Sequence, residues 1–186
     1  MNRILLHTMV SLDGFFEGPD RSLEWHMVDE ELHQYFNDEM RDAGAFLGGR
    51  LNYELMESFW PTADEGDEVP PTIAEFAGIW RRVSKVVYST TLDTVGDNAT
   101  LVREVDPVAV RQVRDQASGD LYVGGAILGR TFLEQGLIDE LRIYVNPVMI
   151  GEGRRLFEDG MQRQDLQLLQ ARAFTNGVVL LRYSLT

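Results

Sequence analysis

The stretch "YVGGAILG", Tyr122 to Gly129, joins a run that reads as a strand, "DLYVGG" (120–125), to one that reads as a helix, "AILGRTFLEQG" (126–136), closed by Gly136. Two adjacent glycines at such a junction, Gly124 and Gly125, cost backbone entropy on folding and supply no packing. Either they make a tight strand-to-helix turn, or they let a large anion lie against bare backbone, with the amides of the next helix aimed at it. The same pattern occurs earlier. "AFLGG" (45–49) is a short apolar strand running into glycines, and "RLNYELMESF" (50–59) then takes helical spacing.

Working outward, residues 3–12 read as a buried strand and "DGFFEGPD" supplies turn chemistry. "DEELHQYFNDEMRD" (29–42) has apolar or aromatic residues at 32, 35, 36 and 40, the spacing of an amphipathic helix. "PTADEGDEVPP" (61–71) reads as an exposed acidic loop, "TIAEFAGIW" (72–80) as a helix and "KVVYS" (85–89) as a strand. "DPVAVRQVRDQA" (106–117) is a helix with Asp106 as N-cap and Pro107 at its first position. "DELRIYVNPVMIG" (139–151) is a long strand ending in a loop, and "DLQLLQARAF" (165–174) with "GVVLLRYSL" (177–185) forms a hairpin across Thr175–Gly177. Strands alternate with helices until two final strands follow without one. The expected fold is a three-layer α/β domain with a mainly parallel sheet and an antiparallel C-terminal edge. With no repeat or linker, residues 1–186 are expected to form one domain.

Composition narrows the function. There is no cysteine, so thiolate metal sites, disulfides and cysteine nucleophiles are excluded. The net charge of −13, from 17 basic and 30 acidic residues, repels nucleic acid and anionic membranes. The opening run, broken by His7, Ser11 and Asp13, is too short and polar for a signal sequence or a span, so a cytoplasmic protein is expected. His7, His26 and His33 are scattered and make no metal-spaced cluster. A polyanionic ligand would have to rely on local arginines and backbone amides.

Three strand ends supply such groups: "GGR" (48–50), "YSTTL" (88–92) and "VGGAILG". In a parallel α/β sheet, ligands bind where strand carboxyl ends and helix N-termini gather. Glycines permit close approach, amides and hydroxyls donate, and an arginine forks onto a phosphomonoester. The G-x-G-x-x-G fingerprint and the P-loop are both absent.

In these residues the chain resembles the dihydrofolate reductase superfamily, and within it the group related to the reductase (C-terminal) domain of the bifunctional riboflavin-biosynthesis deaminase-reductase. The resemblance runs in order through "SLDG" (11–14), "GGRLNYE" (48–54), "FWP" (59–61), "KVVYSTTL" (85–92), "YVGGAILG" (122–129), "GLIDELRIYVNPVMIGEGRRLF" (136–157) and the C-terminal hairpin. It implies a dihydrofolate reductase-like fold and an NADPH-dependent reductase acting on a small heterocycle, in a homodimer. By that resemblance Gly49, Arg50, Leu51 and Asn52, with Ser89, Thr90 and Thr91, would hold the adenosine and 2′-phosphate end of NADPH. Gly124, Gly125, Ala126, Ile127 and Leu128 would hold its pyrophosphate. Ser11 and Asp13 would lie on the substrate side, Asp13 as candidate proton donor. The chain departs from the group at Asn52, where threonine is usual, at Phe15, where a basic residue is usual, and at Val123, where an acidic residue is usual. Dihydrofolate or pterin reduction, and nucleotide binding without catalysis, remain alternatives.

Overall fold

In the computed structural model, which describes residues 1–185, the first strand is β1 (Ile4–Ser11). Its side chains alternate between two packed faces. Ile4, Leu6 and Val10 enter one core and Leu5 the other, and Ile4, Leu5 and Leu6 have no exposed surface. Such burial on both faces is the signature of a central parallel strand. After it come β2 (Phe15–Glu17), α1 (Glu30–Met40), β3 (Ala45–Gly49), α2 (Arg50–Glu57), α3 (Pro71–Arg82), β4 (Ser84–Tyr88) and β5 (Ala99–Val102). The remainder is α4 (Pro107–Gln116), β6 (Leu121–Gly124), α5 (Ala126–Glu134), β7 (Glu140–Asn146), β8 (Arg154–Arg155), β9 (Leu166–Ala173) and β10 (Val179–Leu185).

Eight of the strands form one sheet in the order β5-β4-β3-β6-β1-β7-β10-β9. The pairs from β5 through to β7 are parallel, and β10 is antiparallel to both β7 and β9. Helices α1, α2 and α3 supply Met40, Tyr53, Phe76 and Trp80 to one core, while α4 and α5 supply Val110, Leu128 and Phe132 to the other. This is the mainly parallel three-layer α/β fold expected from the alternation of elements, with its antiparallel C-terminal hairpin. Gly177, at φ +87, makes the hairpin turn, and its amide donates to the Phe174 carbonyl.

Two features were not expected from the sequence. The four-residue β5 lies in the polar run "GDNATLV" and pairs parallel to β4 at the sheet's outer edge. Within the stretch read as turn chemistry, β2 forms a small second sheet with β8. Asp106 caps α4 as anticipated, accepting from the Val108 amide at 2.9 Å.

The amino ends of the strands carry a buried ion network remote from the glycine junctions. Arg142 pairs with Glu140 and Glu39 at 2.8 Å, and Glu140 also accepts from Arg182 and Arg3. Buried charges persist when paired in this way.

Candidate functional site

Parallel register gathers the carboxyl ends of β1, β3, β4, β6 and β7 on one edge. Gly48 is the direct neighbour of Gly124, and Gly49 the neighbour of Tyr88. Two glycine junctions far apart in sequence therefore lie side by side.

Asn52, in the first turn of α2, sits over both. A Cβ added to Gly48 would lie 3.0 Å from Asn52 Oδ1, and one added to Gly124 would lie 2.7 Å from it. One added to Gly125 would lie 3.3 Å from Asn52 Cβ, and Gly125 has φ +86. Part of the answer to the glycine question is thus internal: Gly48, Gly124 and Gly125 make room for a side chain of this protein. Gly49 is different. A Cβ there would meet nothing within 4 Å, so neither neighbouring side chains nor the backbone close that space.

Gly49 and Gly125 are the N-caps of α2 and α5, and neither helix has a side-chain cap. Their first amides are left for another acceptor, and an anion satisfies such amides well. Ala126 and Leu128 point their side chains into the core and would offer backbone only, whereas Ile127 is exposed. Leu51 is half-buried.

A cleft of about 360 Å³ opens beside the end of β4, lined by Arg50, Tyr88, Ser89, Thr90, Thr91, Arg103, Glu104 and Val105. Ser89 is buried, and its Oγ accepts from the amides of Thr91 and Leu92 at 3.1 and 3.0 Å. It shapes the turn, with Thr91 Oγ1 lying 3.4 Å from Ser89 Oγ, and Thr90 and Thr91 are themselves exposed. Arg103 Nη1 braces the same turn by donating to the carbonyls of Ser89 and Leu92 at 3.0 and 2.6 Å. Arg50 is exposed and reaches Glu54 at 3.4 Å. Arg103 and Glu104 were absent from the sequence-based site. They follow β5, and only recognition of that strand would have brought them beside the "STT" run.

On the other side, Ser11 and Asp13 are tied into the loop after β7. Ser11 Oγ donates to Asp13 Oδ1 at 2.6 Å and accepts from the Phe15 amide at 3.0 Å. The Asp13 carboxylate also accepts from the amides of Ile150 and Gly151 at 3.2 and 2.8 Å. The Ser11 hydrogen bond, joined by these amides, lowers the Asp13 pKa below the usual carboxylate value. Asp13 is thereby an ionised acceptor with its oxygens engaged. Phe15 is buried beneath Arg155, whose guanidinium lies 4.5 Å from the ring centroid.

Asn146, fully buried at the end of β7, is a positioning residue that sequence reading did not single out. Its Oδ1 accepts from the Met27 amide at 2.8 Å and its Nδ2 donates to the Val10 carbonyl at 3.2 Å. It pins the segment entering α1 to the carboxyl edge. Asp29 is engaged as the N-cap of α1, accepting from Leu32 N at 2.9 Å. His33 stacks on Trp60 at 5.8 Å, and Trp25 meets His26 edge-on. Burial lowers His26 to about 4 and also lowers His33, so each sits as neutral imidazole at neutral pH. No group of histidine, cysteine and acidic side chains fit to hold a metal occurs among the described residues.

Comparison with known proteins identifies relatives of this chain. The chain is 32% identical over 182 residues to the uncharacterized protein YyaP of Bacillus subtilis (strain 168), covering 97% of this chain and 94% of that one. A Shewanella sp. PV-4 protein provisionally assigned to riboflavin biosynthesis superposes with TM-score 0.75 at 19% identity, over 99% of both chains. A pyrimidine reductase-like protein from Corynebacterium diphtheriae superposes with TM-score 0.68 at 13% identity, over 100% of this chain and 92% of that one. At such identities the two structures establish the fold alone. The family model described as the RibD C-terminal domain matches residues 2–180, and the chain belongs to that family.

Proposed function

We propose that this protein is an NADPH-dependent reductase that transfers hydride to a small heterocyclic substrate of the riboflavin-pathway kind. The observation that carries the reading is the adjacency of Gly48 and Gly124, which sets two uncapped helix N-termini side by side, the first of them opening on a cleft lined by Arg50 and Arg103. Membership of the RibD C-terminal domain family and the pyrimidine reductase-like neighbour support it.

The residues present fit the cofactor. The open space over Gly49 and the amides that begin α2 and α5 suit a pyrophosphate. Arg50 suits the 2′-phosphate, flanked by Thr90 and Thr91, and Arg103 holds their turn in shape. Bound there, the nicotinamide would supply the hydride. The protein's share is orientation. Asn52 fixes the spacing of the two junctions, while Asn146 and the Ser11–Asp13 pair fix the loops around the substrate side.

The test is loss of absorbance at the nicotinamide band with NADPH and a panel of phosphoribosylamino-pyrimidines, pterins and dihydrofolate. Turnover of one class assigns the substrate. Nucleotide binding without turnover across the panel would favour a second reading, a nucleotide-binding protein that does not catalyse. Engagement of the Asp13 carboxylate by Ser11 and by the Ile150 and Gly151 amides, which hold the candidate proton donor in the ionised form, is the observation that supports the second reading.

A homodimer completes the proposal. The edge strand β9 exposes Leu166, Leu168 and Leu169, and an apolar, unpaired edge favours pairing with another copy. Light scattering of the parent and of Leu168→Arg would test it: a dimer that the substitution splits is expected, and a monomeric parent would remove it.

A further inference from the structure

The cleft beside β4 holds a carboxylate as well as two guanidinium groups. Glu104 is exposed within it and has no hydrogen bond or ion pair among the described residues. Its cationic neighbours are engaged elsewhere, Arg50 with Glu54 and Arg103 with the carbonyls of Ser89 and Leu92. An anion lodged among these residues shares the cleft with Glu104 and feels its charge, since screening at physiological salt acts over a Debye length of about 8 Å.

Two chemistries therefore meet at one place. Arginines favour a phosphomonoester, and an unpaired carboxylate accepts hydrogen bonds from the ribose hydroxyls that are free when the 2′-phosphate is missing. A site for NADPH alone gains nothing from the second. We infer that Glu104 is a specificity-determining residue that holds down the preference for the phosphorylated nucleotide, so that the cleft takes NADH as well as NADPH. This rests on the cofactor reading above. Glu104 repels the 2′-phosphate and gives the unphosphorylated ribose a partner, and Arg50 pulls the other way.

The experiment is calorimetric titration of the parent and Glu104→Gln with NADPH, NADH and 2′,5′-ADP, the last reporting the phosphate end alone. Two charges about 4–7 Å apart in water interact by roughly a factor of three to five in affinity, so NADPH and 2′,5′-ADP should each tighten about threefold to fivefold. NADH should hold or weaken, and the gain for NADPH should shrink as salt rises from ~0.05 to ~0.5 M. Glu104→Ala, which removes the side chain's acceptor entirely, should move the NADPH-to-NADH ratio the same way. A ratio within twofold of the parent in both variants would overturn the role of Glu104 and leave the cofactor site standing. A parent that binds neither nucleotide would overturn the cofactor reading, and the inference with it.

Discussion

A Cβ added to Gly124 would stand 2.7 Å from Asn52 Oδ1, so the bare backbone of one strand-to-helix junction is the seat of a side chain from the other. The glycine is required by a contact between elements, not by its backbone angle, since Gly124 has no positive φ. Gly124→Ala should force Asn52 aside and destabilise the fold by about 1–3 kcal/mol, the usual cost of overpacking. Asn52→Gly should relieve most of it. Denaturant melts of the two single variants and the double variant will give the coupling, expected at about 1 kcal/mol or more. Additive effects would show that Asn52 moves freely off the glycine.

Gly49 and Gly125 separate folding from binding. Gly125, at φ +86, strains any L residue, so Gly125→Ala should cost stability. Gly49 sits at φ −79 and ψ 170, where alanine is comfortable, and a Cβ there meets nothing within 4 Å. Gly49→Ala should therefore melt within about 1 kcal/mol of the parent while weakening NADPH at least tenfold, since its methyl fills the space left for phosphate. Unchanged binding would remove Gly49 from the site.

Asp13 is expected to act through position. Its carboxylate accepts from Ser11 Oγ and from the Ile150 and Gly151 amides, and Asn in its place keeps one acceptor oxygen. Asp13→Asn should lower the melting temperature and slow turnover of a confirmed substrate without moving the limbs of the pH–rate profile. A general acid or base contributes typically about 10²- to 10⁴-fold. A rate loss of that size, with one pH limb abolished, would identify Asp13 as the proton donor instead.

His7 sets an acid limit on stability. It packs against the rings of Phe36 and Tyr144 at 5.1 and 4.7 Å, and its Nε2 is buried without a partner. Burial lowers its pKa from 6.5 to about 3, with Arg142 adding to the effect. Below pH 6.5 the unfolded chain takes up a proton that the folded chain refuses, so stability is full above that pH and is lost as pH falls toward 3. Between pH 6.5 and 4.5 the loss from His7 should be about 2–3 kcal/mol, and His7→Gln should flatten that part of the curve. An identical slope in the variant would show that His7 titrates normally in the fold.

Much of this was legible in the sequence, because the informative signals are local. "YVGG" and "AFLGG" each carry their own strand-to-helix reading, and the final pair of apolar runs announces the hairpin. What escaped depends on contacts distant in sequence. The β5 strand has only four residues in a polar run and is held by its pairing with β4, so Arg103 and Glu104 could not be placed in the cleft. "SLDG" reads equally as a turn or as catalytic chemistry until Ile150 and Gly151 arrive to engage its carboxylate. Asn146 lies inside a strand pattern and carries no motif, yet it ties Met27 to Val10.

The most direct measurement is a titration of NADPH and NADH against the parent and Arg50→Ala. Arg50 stands exposed at the start of α2, on the rim of the cleft, and its nearest ion pair is a weak 3.4 Å contact with Glu54, so its removal should leave the fold intact. A charge-assisted contact to the 2′-phosphate is worth on the order of 2 kcal/mol, which corresponds to about a thirtyfold loss for NADPH and little change for NADH. Saturable binding of NADPH by the parent, with that selective loss in the variant, is the expected result. Absence of NADPH binding, or equal weakening of both nucleotides, would contradict the assignment of this edge of the sheet as a phosphorylated dinucleotide site.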